Sequence, residues 1–156
     1  MATREKNWEH LLDEAINRGH TTRFEWGKHD CALFVADAVL LLTGDDYAEP
    51  FRNKYTNQRG AYKILKKLTG ADDWRDGLAQ WMGMTGLEAI EPEYAQRGDV
   101  VLANTDDGPA LAVVGNPGTM AYAAALEGLF EFPVVLAERS WRISKRATGS
   151  RNGGSN

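Results

Sequence analysis

The pattern of apolar and polar positions changes period once along the chain, near Gly86, and the two parts predict different structure. In the first part Trp8, Leu11, Leu12, Ala15 and Ile16 share one helical face, while Glu5, Glu9, Asp13, Asn17 and Arg18 share the other. Thr3 is the expected cap of this helix and Gly19 its expected end. Residues 21–28, with Phe24 and Trp26, read as a short extended run. Residues 31–43 are the strongest element. Cys31, Phe34, Val35, Ala38, Val39 and Leu42 form a stripe, and Leu33, Leu40 and Leu41 make the far side apolar too, leaving Asp37 as the lone charge. Such a helix is expected to be buried on most sides. Asp30 is its expected N-cap and Gly44 its stop. After a polar loop containing Pro50, Ala61, Ile64, Leu65 and Leu68 mark a third helix closed by Gly70, with Lys63, Lys66 and Lys67 on a solvated face. A fourth starts at Asp72 or Asp73 and uses Trp74, Leu78 and Trp81.

Beyond Gly86, five short apolar runs at 100–103, 110–114, 120–124, 129–132 and 140–143 are separated by Gly, Pro, Asn and Asp. This punctuation predicts an antiparallel sheet of about five strands. Helices first and strands second give an α+β domain over residues 1–145. Residues 146–156, made of Arg, Ala, Thr, Gly, Ser and Asn, have nothing to bury and are expected to form a disordered tail.

Composition narrows the function. With 43% hydrophobic and 26% charged residues in 156, the chain has the make-up of an ordinary globular domain with a real core. A net charge of -4 and the lack of a basic, aromatic-interleaved stretch argue against nucleic acid as a partner. No apolar run reaches membrane-span length, and the charged start lacks the apolar region of a secretory signal. The expected location is therefore the cytoplasm of synthesis, unless a virion or lysis carries the protein out. Gly27-Lys28 lacks the glycines of a phosphate loop. His10, His20, His29 and Cys31 do not have zinc-ligand spacing, so neither metal nor cofactor is expected. Arg97-Gly98-Asp99 runs directly into an apolar strand and reads as a turn rather than an adhesion motif.

Chemistry centres on Cys31, the single cysteine. A cysteine opening a helix can be a nucleophile, because the positive helix end stabilises a thiolate. The adjacent Asp30 opposes that charge. The plain alternative is a small residue packed in the core.

The segment from Phe24 to Val35, with Trp26-Gly27-Lys28-His29-Asp30-Cys31-Ala32-Leu33-Phe34-Val35, resembles the Asp-Cys-Ser-x-Phe-Val signature of NlpC-type, papain-like cell-wall cysteine peptidases. Gln96-Arg97-Gly98-Asp99-Val100-Val101-Leu102 is similar to that family's Gly-Asp turn entering the first core strand. Together with Trp141-Arg142-Ile143, the pattern resembles a phage-borne branch of the superfamily over about residues 8–143. The resemblance implies a helix-then-sheet papain-like fold with Cys31 in the nucleophile's place.

Active relatives begin the next strand with a histidine, as in His-Val-Gly-Ile, and place a further polar residue on the strand after it. Here Ala110 or Leu111 fills the histidine position, and the following strand offers Thr119 and Tyr122. Loss of general acid–base help costs ~10²–10⁴-fold in rate. The conceivable substitute bases are His20, expected in a loop able to fold over the helix start, and His29, two residues before Cys31. The function implied is that of a structural or assembly protein of the distal phage tail (tip or baseplate), in the virion, contacting other tail-tip or hub proteins and keeping a vestigial nucleophile. The alternative is an active endopeptidase carried by the tail, with peptidoglycan peptide as partner. A third reading is a small-ligand or inhibitor-type module outside any virion.

Overall fold

Among the described residues, 5–143 of the computed structural model, four α-helices precede a six-stranded antiparallel sheet, so the protein is α+β. Thr3 and the tail expected from residue 146 onward lie outside the described residues. The first helix, α1, spans Trp8–Thr21. Gly19 does not end it. It is a buried interior position where an added Cβ would lie 2.6 Å from the Phe34 ring, so the glycine permits close approach to the next helix. The helix runs two residues further, to Thr21, and closes where the Thr22 hydroxyl donates to the Arg18 carbonyl at 2.6 Å. His20 consequently sits in a helical turn rather than in a loop. The expected extended run at 21–28 reduces to one antiparallel bridge between Glu25 and His29.

The second helix, α2, spans Cys31–Thr43 as its pattern predicts, capped by Asp30 and stopped by Gly44 at φ 86. It packs against α1 and against the sheet, which bury Leu33, Phe34, Val35, Ala38, Val39 and Leu42, but the expected cover is incomplete: Leu40 is exposed and Leu41 half-buried. α3 covers Gln58–Thr69 and α4 covers Trp74–Met84, with Asp73 accepting the N-cap bond. No described helix is long and apolar enough to cross a membrane.

The strands are β1 (Glu88–Ile90), β2 (Val100–Thr105), β3 (Gly108–Val114), β4 (Met120–Ala125), β5 (Gly128–Pro133) and β6 (Ala137–Arg142), in the spatial order β1-β6-β2-β3-β4-β5. The sheet thus has one strand more than the five predicted. β1 is three residues long and mostly exposed, so it carries no alternation to betray it. Strand alternation sorts the buried residues onto two faces. Val100, Leu102, Leu111, Val113 and Trp141 join the helices in the main core. Val101, Ala103, Ala110, Ala112, Val114 and Ala121 form a second, small-residue cluster with Ala123 and Phe132. β3 and β4 pair through Val113↔Tyr122 and Val114↔Ala121 and then diverge, and the turn Val134–Leu136 returns the chain from β5 to contact β2.

Candidate functional site: the start of the Cys31 helix

The turn before Cys31 is built around one carboxylate. Asp30 is 1% exposed, and its Oδ1 accepts from the Ala32 and Leu33 amides at 3.1 and 3.0 Å. Its Oδ2 accepts from the Gly27 amide at 2.9 Å and from the Tyr55 hydroxyl at 2.6 Å. Four donors compensate the burial of the charge, as a carboxylate removed from water requires. Gly27 takes φ +85, and an added Cβ there would lie 2.2 Å from the Tyr55 carbonyl oxygen. Its own carbonyl accepts from the Asn53 amide at 2.8 Å. The motif Trp26-Gly27-x-x-Asp30-Cys31 is therefore accounted for by helix starting and loop clamping. Tyr55 is the member of this assembly that sequence reasoning missed, since it lies in the polar loop after Pro50 with no periodic signal.

A second carboxylate plays the same part at the sheet. Asp99, 1% exposed, accepts from the Gln96 amide at 2.9 Å and from the Ile143 amide at 3.1 Å, and Arg142 Nε lies 3.7 Å from it. This joins the Arg97-Gly98-Asp99 turn to Trp141-Arg142-Ile143. Arg97 itself stacks 5.1 Å from the Trp8 ring centre.

The Cys31 residue is partly exposed, but its sulfur is closely surrounded. Burial pushes the thiol up to about 12, and the Asp30 charge pushes the same way. The backbone N–H groups of Ala32 and Cys31 pull down, by less. The expected helix-end activation is thus present and is outweighed. At neutral pH the thiol therefore stays protonated.

Neither substitute base reaches into this balance. His20 is exposed on α1 with its ring edge-on to Tyr122 at 6.1 Å. His29 is buried, edge-on to Phe34 at 6.1 Å, and faces a cleft between α1 and α2 whose wall does not include Cys31. The groups that set the thiol's proton affinity are burial, Asp30 and two backbone amides, with no imidazole among them. Of the two candidates for the histidine position, Leu111 faces the helices and Ala110 faces away. Tyr122 packs against the helix-side core, whereas Thr119 is exposed.

A family described as "Domain of unknown function (DUF6950)" matches residues 3–143. The chain belongs to this family. No curated protein matches the chain. Both carboxylate assemblies, at Asp30 and at Asp99, fall inside the DUF6950 span.

Within this DUF6950 chain, His29 makes stability depend on pH. Burial lowers its pKa from 6.5, with Asp37 and then Asp30 opposing more weakly. A histidine whose folded value lies below its unfolded value favours the fold while neutral. That contribution is complete above the unfolded value and is lost as pH falls through it, because the unfolded chain takes up the proton first. The melting temperature is therefore expected to fall between about pH 7.5 and about pH 5.5, and His29→Gln is expected to flatten that slope in a thermal melt series. An unchanged slope in the variant would assign the dependence to other groups.

Proposed function

We propose that this DUF6950 member is a non-catalytic module with an NlpC-type, papain-like fold, acting as a structural or assembly component at the distal end of a phage tail. The observation that carries the reading is the state of Cys31. Its thiol is held near 12 beside a buried Asp30, and the place where the resemblance calls for a histidine is filled by Ala110 or Leu111, neither of which can act as a base. Attack on an amide needs a thiolate and then a proton for the departing amine. The first is suppressed here, and no imidazole is among the groups that set the thiol's proton affinity. The virion location and the partners, other tail-tip or hub proteins, rest on the resemblance of the three landmark segments to the phage-borne branch of that superfamily.

Alkylation of Cys31 by iodoacetamide across pH tests the chemical half of this reading. Labelling is expected to be negligible up to about pH 9 and to rise only toward the strongly alkaline end, in contrast to a free thiol at ~8.5. The purified protein is expected to leave peptidoglycan intact, and Cys31→Ala to leave virion infectivity unchanged. A muropeptide cut that disappears in Cys31→Ala would replace this proposal with the peptidase reading. Absence of the protein from purified tails would refute the assembly role.

A further inference from the structure

The cleft between the C-terminal half of α1 and the open side of α2 measures about 430 Å³, within the range of small-molecule sites. His29 lies in its wall. The residue is 8% exposed, and both of its backbone polar groups are used in the bridge to Glu25, at 2.8 and 2.9 Å. Its imidazole hydrogen-bonds no described residue, and its nitrogens are not sealed from the surface. A buried imidazole with no hydrogen-bond partner among the described residues, though Asp37 and Asp30 bear on its charge, is a polar group able to donate to a ligand.

Charge selects the kind of ligand. The cleft is lined by two cations, Arg18 and Lys28, and one carboxylate, Asp37. Arg18 is ion-paired with Glu14. Asp37 is held by Arg52 at 2.7 Å. Lys28 donates only to a neutral group, the Asn53 side-chain oxygen at 3.1 Å, so its charge has no carboxylate partner among the described residues. Leu40, which is exposed, and Leu41, which is half-buried, supply apolar surface beside it, over the buried Ala15, Phe34 and Ala38.

We propose that this cleft binds a small monocarboxylate with an apolar body, its carboxylate set between Lys28 and the His29 imidazole and its body against Leu40 and Leu41. The carboxylate accepts from both groups, and desolvation by the apolar wall strengthens those charge-assisted bonds. An amine of the same shape is disfavoured because the acidic side chain in the wall is already paired. An alcohol of the same shape keeps the apolar contact and loses the charge.

Titration of hexanoate, hexanol and hexylamine into protein with labelled histidine, read by the imidazole resonances in NMR, tests this. Hexanoate is expected to shift the His29 signals saturably and to bind at least ~10-fold more tightly than hexanol or hexylamine. Lys28→Met, at an exposed position, is expected to weaken hexanoate by a similar factor. Thr22→Trp, on the exposed rim of the cleft, is expected to block it. Equal affinity for the alcohol or a preference for the amine would overturn the assignment of a carboxylate. So would undiminished binding in both variants, or no saturable shift by about 10 mM hexanoate.

Discussion

Gly27→Ala is expected to destabilise the protein by more than about 4 kcal/mol, enough to unfold many single domains. Two independent costs combine. A side chain at φ +85 carries a penalty of roughly 1–2 kcal/mol. The larger cost is the overlap of the new Cβ with the Tyr55 carbonyl oxygen at 2.2 Å, a backbone atom that cannot rotate aside. Relieving it moves the loop around Tyr55 away and breaks the Asn53 amide bond to Gly27 and the Tyr55 bond to Asp30. Gly70→Ala is the internal control. Gly70 also has positive φ, at +77, but nothing lies within 4 Å of an added Cβ. Urea melts should show Gly70→Ala losing only that conformational part, roughly 1–2 kcal/mol. Equal losses in the two variants would mean that close approach is not what Gly27 serves.

Asp30→Ala is expected to cost about 3–5 kcal/mol, because it combines loss of an N-cap with loss of charge-assisted buried bonds. It leaves the Gly27, Ala32 and Leu33 amides and the Tyr55 hydroxyl without their acceptor. Asp30→Asn retains one acceptor oxygen for the helix amides and is expected to fall between wild type and Asp30→Ala in urea melts. It also separates charge from packing at the thiol. Removing the carboxylate charge should lower the Cys31 pKa from about 12, leaving burial, the larger cause, in place. The alkylation profile of Asp30→Asn should therefore move to lower pH while staying above that of a free thiol. A profile that does not move would show that Asp30 acts on the helix alone.

These two residues also mark the boundary of what the sequence could reveal. Asp30 as a cap and Gly44 as a stop were legible because both signals are local to the helix they bound. The second half of the Asp30 assembly was not, because its partner Tyr55 is 25 positions away. The same holds at Asp99, whose bond to the Ile143 amide spans 44 positions. Gly19 misled for a related reason. Its local meaning is a helix stop, but tertiary contact with Phe34 decided its place. Ala110 and Leu111 could be separated only by strand register, which fixes the side of the sheet each faces. The direction of the His29 ring was likewise out of reach, since it follows a turn whose bridge to Glu25 has no periodic signature.

The sheet order carries a consequence for biosynthesis. Among the described residues β1 pairs only with β6, and β6 also completes one side of β2. A ribosome therefore releases residues 88–90 and 100–105 well before their shared neighbour at 137–142 exists. Until that neighbour leaves the exit tunnel, β2 presents an open, strongly apolar edge, the kind of surface that recruits chaperones or a second nascent copy.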